Sequence, residues 1–206
     1  MGSRSSRTLW AQKLSGMSAA GLAKPMKGKQ VETGQQVRLQ GPFRGTVLGI
    51  DPSLRGTGLA VVRFHERMEA ELLFSQTLRI PRDQTMAECL GTIARTVLCV
   101  VETHTIDEVA LEETIYVQNV KTAQKLGAAR GAAIAAIALK GFAVAEYPPL
   151  RVKQAVVGFG RASKEQVARQ IRSLLKLTEI PNWDEADAAA VAYCHALTRG
   201  QTLKAM

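Results

Sequence analysis

The sequence predicts an α/β fold in which helices cover a mixed sheet. Two observations carry this. Between residues 46 and 80, three apolar or alternating segments follow one another with short connections, the pattern of an antiparallel meander. From residue 84 onward, segments of helical periodicity alternate with short apolar runs, the pattern of helices laid over a sheet.

TVLGID, residues 46 to 51, is a short apolar strand that ends in an acid. PSLRGTG turns the chain, and LAVVRF, residues 59 to 64, returns as a second strand. ELLFSQTLRI, residues 71 to 80, alternates as a third. Met86, Cys89, Leu90, Ile93, Val97, Val100 and Val101 recur at helical spacing and predict a helix across 84–103. EVALEE, residues 108 to 113, is a fourth strand that ends in two acids. Residues 120–140 form a long helix. Its Gly127, Ala128, Gly131, Ala132 and Ala135 permit close approach by another helix, within the chain or across a dimer seam. GFAVAEY, residues 141 to 147, is a fifth strand. Pro148 and Pro149 break the chain, and a short helix starts from Arg151. GFGRAS is a loop, Lys164–Leu175 a helix, and the last helix starts near Asp184 with Asn182 as its N-cap.

The 206 residues suit one domain, and 46% hydrophobic residues supply a core that is mostly aliphatic. No apolar run has the length of a membrane span, and the start lacks the apolar segment of a secretory leader. Three cysteines, an odd number without metal-ligand spacing, fit a reducing compartment and a cytoplasmic location. Residues 1–44 carry eight Lys or Arg against one acid, Glu32, so most of the net charge of +9 lies there. This segment is rich in Ser, Gly and Gln and is expected to be a disordered basic extension that attracts nucleic acid. In a eukaryotic host, its first residues would also satisfy a myristoylation pattern or a transit peptide. The expected division is therefore an extension over 1–44, a domain over 45–200 and a short tail over 201–206.

The acids are placed with more order than the bases. Asp51 ends the first strand and Glu112 the fourth. If those strands are parallel neighbours, the two carboxylates stand together at a carboxyl edge, where α/β sheets bind ligands. PNWDEADAAAVAYCHA opens its helix with Asp184, Glu185 and Asp187. Acids suit a helix N-terminus on dipole grounds alone. But Asp184 and Asp187 share one face, and like charges side by side call for a cation between them. Oxygen-only ligation suits Mg²⁺ or Mn²⁺, and a pair of such ions suits phosphoryl transfer. GIDPSLRGTG also has the look of the phosphate loop of actin-like ATPases, although the chain is short for two lobes. A P-loop is excluded, because no GK[ST] follows the glycines.

GIDPSLRGTG, ALEETIYVQN, KLGAARGAA, VKQAVVGFGRASKEQV and DEADAAAVAYCHA, in this order, resemble the RuvC family of Holliday-junction resolvases. The resemblance covers residues 46–198 and implies an RNase H-like fold with a five-stranded mixed sheet flanked by helices. It further implies a homodimer that cuts four-way junction DNA with Mg²⁺ or Mn²⁺, two ions per site. Asp51, Glu112, Asp184 and Asp187 match the family's catalytic and metal-binding acids. Glu113 is second to Glu112, either solvated or in support. Lys153 matches a basic position that serves the active site, and Lys164 one that serves the DNA backbone. Arg161 and Arg55 are further phosphate-contact candidates. Where the family often carries a wedging phenylalanine, this chain has Ile115 and Tyr116, which can serve against an unstacked base. The resemblance also implies partnership with the RuvA–RuvB branch-migration complex. Two alternatives stand beside it: a catalytically silent junction-binding module, and an RNase H-like nuclease acting on RNA or an RNA–DNA hybrid.

Overall fold

Five strands form one sheet in the order β3-β2-β1-β4-β5 in the computed structural model, which describes residues 42–66, 69–114, 119–179 and 181–201. The strands are β1 (Gly45–Asp51), β2 (Gly56–Phe64), β3 (Ala70–Arg79), β4 (Glu108–Glu112) and β5 (Val144–Tyr147). The helices are α1 (Met86–Thr103), α2 (Val120–Leu139), α3 (Pro149–Val157), α4 (Lys164–Leu174) and α5 (Trp183–Gln201). β1–β2 and β2–β3 pair antiparallel, as the meander predicts. β1–β4 and β4–β5 pair parallel, so the sheet is mixed.

Strand periodicity divides the core into two. Leu48 and Ile50 of β1, Leu59 and Val61 of β2, and Val109 and Leu111 of β4 point to one face. There they meet Cys89, Ile93, Val97 and Val100 of α1 and Ala129, Ala133 and Ile137 of α2. Val47, Ala60, Val62, Phe64 and Ala110 take the opposite face and pack against α3, α4 and the Ala-rich α5. The sheet therefore lies between two helical layers, and α5 is the helix laid over β1 and β2.

Two glycines set how low α5 sits. A Cβ on Gly49 would stand 2.1 Å from the Ala188 carbonyl oxygen, and one on Gly58 would stand 2.0 Å from that of Asp184. Only glycine leaves room for helix backbone to touch strand backbone. By contrast, a Cβ at Gly127 or Gly131 meets nothing within 4 Å among the described residues. Gly127 and Gly131 of the α2 stripe thus face outward, whereas Ala132 of the same stripe packs against the core. The buried alanines 129, 133 and 136 pack there as well.

Several boundaries differ from expectation for local reasons. β2 begins at Gly56 because its ladders run on to Gly56↔Arg79 and Asp51↔Gly58. β5 begins at Val144, because Gly141 at φ +80 and the Phe142 N–H to Ile137 carbonyl bond first finish α2. α3 begins at Pro149, not Arg151. Proline suits a first helical position, where its missing N–H has no partner to lose. Packing also reaches upstream of Gly45: Phe43 sits edge-on to Phe64 and to His195. At the other end α5 continues to Gln201. Ile115, Tyr116 and the extension up to residue 41 lie outside the described residues.

Candidate active site

Parity along two strands builds the site. In β1, Val47, Gly49 and Asp51 point to the α5 side. In β4, Glu108 and Ala110 do the same, and Glu112 follows in register. The parallel ladder pairs Ile50 with Leu111, so the next step sets Asp51 beside Glu112. Their carboxyl groups share a hydrogen bond in which Glu112 donates to Asp51.

α5 supplies the other acids from above. Gly58 is the ladder partner of Asp51 and also the residue against which the Asp184 backbone rests. Asp184 is thereby held over the end of β1, and Asp187, one turn on, charges the same space as Asp51 and Glu112. The third acid of the helix start goes elsewhere. Glu185 accepts a 2.7 Å hydrogen bond from Ser75 Oγ and a longer one from Thr77, both on β3. It fastens the helix to the sheet. Asn182 acts as the N-cap through its carbonyl, which accepts from the Ala186 N–H at 2.8 Å, while its side-chain oxygen takes Arg79. Lys164, the first residue of α4, places Nζ 2.9 Å from Asp187 Oδ2. Two strand ends, two helix starts and one lysine therefore meet at a single edge.

A family model described as crossover junction endodeoxyribonuclease RuvC matches residues 47–195, which include all of these groups. The chain belongs to the RuvC family. It is 45% identical over 159 residues to the crossover junction endodeoxyribonuclease RuvC of Halorhodospira halophila, covering 77% of this chain and 94% of that one. The RuvC of Alkaliphilus oremlandii is 40% identical, over 74% of this chain and 93% of its own. Among solved structures, T. thermophilus RuvC in complex with a Holliday junction substrate matches with a TM-score of 0.73 at 35% identity, covering 77% of this chain and 97% of that one. The yeast mitochondrial Holliday junction resolvase Ydc2 has the same fold, with a TM-score of 0.56 at 12% identity over 81% and 83% of the two chains. The RNase H-like fold that the resemblance implied is therefore present.

At this candidate site the buried carboxylates raise one another's pKa. Burial first, then the charge of Asp187, raises Asp51 to about 6. Burial first, then Asp51 and Asp187, raises Glu112 to about 8. Asp184 is also raised, mainly by burial, against the pull of Lys164. Burial works against the Lys164 charge, yet the bond to Asp187 and the nearby acids hold its pKa above the ordinary lysine value. Among the described residues, no three acids converge into a ready-made metal cage. The donor set nevertheless fits a hard divalent cation: four carboxylates with no sulfur or imidazole among them, two of them competing for one proton.

Stability should therefore depend on pH. Asp51 and Glu112 bind their protons at higher pH in the folded chain than when unfolded, so folding takes up protons between about pH 4.5 and 8. Their stabilising contribution is full on the acid side of this window and is lost as pH rises through it. The melting temperature in EDTA is expected to fall across the window, and the gain on adding Mg²⁺ to grow with pH. Glu112→Gln should flatten the trend. A wild-type melting temperature in EDTA that is level from about pH 5 to 8.5 would refute the coupling.

The remaining candidates divide. Lys153 is half-buried on α3 and makes no hydrogen bond or ion pair among the described residues. Arg161 is exposed in the loop before α4. Arg55 spends its guanidinium on the carbonyls of Pro81 and Gln84, the latter at 2.9 Å, and so braces the β3–α1 connection. Glu113 is exposed, as the solvated alternative requires. The glycine-rich turn is closed on itself: Ser53 Oγ accepts from the Gly56 N–H at 2.9 Å, and Thr57 Oγ1 donates to the Ser53 carbonyl. Those groups hold a hairpin rather than a phosphate. Sequence reading passed over Arg79 and Trp183, which flank Asp184. The aromatic immediately before the acid was the available signal.

Proposed function

We propose that this chain is a crossover junction endodeoxyribonuclease that resolves Holliday junctions by hydrolysing phosphodiesters on opposed strands. The observation that carries the reading is the meeting of Asp51, Glu112, Asp184 and Asp187 with Lys164 at one sheet edge. Asp51 and Glu112, with Asp184 and Asp187, would hold Mg²⁺ or Mn²⁺, two ions per site. Such ions supply a water of lowered pKa and stabilise the leaving oxygen. Asp51 and Glu112 are fixed by β1 and β4, so little ordering cost remains when DNA arrives. Lys164 aligns Asp187 and offers positive charge where the phosphate gains negative charge. Lys153, one helix earlier, supplies a second cation to the active site, and Arg161 a contact to the strand backbone. Ile115 and Tyr116 follow Glu112 and would press against the bases at the junction centre.

A two-fold junction is matched by a two-fold protein, and a homodimer gives two cuts. The outward face of α2 at Gly127 and Gly131 has the room that a second helix needs. The RuvA–RuvB branch-migration complex would deliver the junction. The setting is the cytoplasm, and among the described residues no helix is long and apolar enough to cross a membrane.

The test is cleavage of a labelled four-way junction with Mg²⁺, Mn²⁺ or EDTA, beside linear duplex and an RNA–DNA hybrid. Paired, metal-dependent nicks confined to the junction are expected. Binding without cuts under either metal would favour a silent junction-binding module, and preferred cutting of the hybrid would favour an RNase H-type activity.

The basic extension should add affinity through charge alone. Because Phe43 belongs to the core, the clean deletion removes residues 1–41. That deletion is expected to weaken junction binding and to reduce the slope of log K against log salt by about 0.9 for each phosphate it no longer neutralises. An unchanged slope would rule this role out.

A further inference from the structure

A cleft of about 530 Å³ opens beside Asp184, lined by Arg79, Pro181, Asn182, Trp183 and Asp184 itself. Trp183 is 53% exposed there. A lone exposed apolar residue needs no explanation. This one shares its cleft with a guanidinium and an acid of the candidate site, and their positions are fixed. Arg79 closes β3, reaches Asn182 Oδ1 at 3.4 Å and lies near enough to Asp184 to stabilise its charge. Its ladder partner is Gly56, whose Cβ position is 3.4 Å from Asp184 Oδ2. The register of the β2–β3 ladder therefore holds Arg79 next to the site, while the first turn of α5 holds Trp183 there.

We propose that this cleft takes one nucleotide of the cut strand, its phosphate on Arg79 and its base stacked on the indole of Trp183. The proposal rests on the junction-resolving reading and deepens it. A guanidinium alone attracts any phosphate. An indole face adds a different requirement, because it can stack only on a base with a free face. Bases inside a continuous duplex are covered on both sides, whereas a strand leaving the junction centre exposes one. The pair would favour an unstacked nucleotide next to the phosphate to be cut. Continuity with Asp184 sets the distance, and Arg79 offsets the repulsion between the incoming phosphate and the acids.

The test uses the full chain with Trp10→Phe, which leaves Trp183 as the sole tryptophan of the two. Its emission is followed in EDTA as four-way junction, single strand or linear duplex is added. Junction and single strand are expected to quench it and duplex to leave it nearly unchanged. In steady-state cutting, Trp183→Ala should raise KM for the junction about ten-fold. Trp183→Phe should recover most of the loss, because a phenyl ring still stacks. Arg79→Ala should weaken binding and lower the salt slope by about one. Melting temperatures close to wild type would exclude a folding defect, as expected for exposed positions. Unquenched emission with the junction bound, or unchanged cutting in Trp183→Ala, would overturn the subsite while the resolvase reading stood. A wild-type chain that neither binds nor cuts junctions would overturn both.

Discussion

Replacing Asp51 with asparagine is expected to lower junction cutting at least about 1,000-fold while raising the melting temperature of the metal-free protein. The first effect follows from loss of a charged ligand. Metal assistance is worth several kcal/mol of transition-state stabilisation, and each ~1.4 kcal/mol is a factor of ten. The second effect has a different origin. Asp51 is a half-buried carboxylate facing Glu112, Asp184 and Asp187, and burial and Asp187 already push its pKa to about 6. An asparagine keeps the shape, removes the charge and still offers its carbonyl to the Glu112 carboxyl. Function and stability therefore pull in opposite directions here, as at many active sites. The measurement is single-turnover cutting, with junction binding followed by mobility shift and melting by calorimetry, all in one buffer. Binding should remain within a few-fold of wild type. Cutting near the wild-type rate would remove Asp51 from the catalytic set. Reduced stability would show that its charge is compensated by groups other than those in contact with it.

The acids were legible because strand periodicity and chain order both speak in the sequence. An apolar run that stops at Asp51, and another that stops at Glu112, say which strands carry the site. The parallel pairing of β1 with β4 then turns two sequence positions into one place. Asp184 and Asp187 were legible through helical spacing. The fates of other polar side chains were not. Glu185 stands between them in sequence yet leaves for Ser75 and Thr77, because helix geometry turns it toward β3. Arg55 sits in the expected loop, but the Pro81 and Gln84 carbonyls claim it. Arg79 and Trp183 are far apart in the chain, and nothing short of the β2–β3 register and the docking of α5 puts them in one cleft. Periodicity names faces and ends of elements. It does not name the tertiary partner of a long side chain.

That docking carries the second large effect. Gly58→Ala is expected to lower cutting by about 100-fold or more and to destabilise the fold. The added Cβ would lie 2.0 Å from the Asp184 carbonyl oxygen and 2.6 Å from its carbonyl carbon. Both atoms are backbone, so no side chain can rotate away, and the first turn of α5 must lift by more than about 1 Å to reach ordinary contact. A displacement of that size at reacting groups costs about two orders of magnitude in rate. Overpacking of this kind costs about 1–3 kcal/mol in stability. A matched control separates geometry from the mere addition of a methyl group. Gly91→Ala, inside α1, meets only the flexible Arg95 guanidinium, at 3.1 Å, and gains helix propensity worth up to about 1 kcal/mol. The same chemical change should thus lower the melting temperature and the rate at position 58, and raise the first while sparing the second at position 91. Excess Mg²⁺ should recover part of the lost rate in Gly58→Ala if Asp184 has moved but still faces Asp51, since weaker ligation is offset by concentration. If Gly58→Ala cuts like wild type, α5 can slide along the sheet without cost, and the acids of its first turn need no fixed distance from β1. Defects in both stability and cutting, partly relieved by metal, would mean that the missing side chain at Gly58 holds the first turn of α5 at its working height.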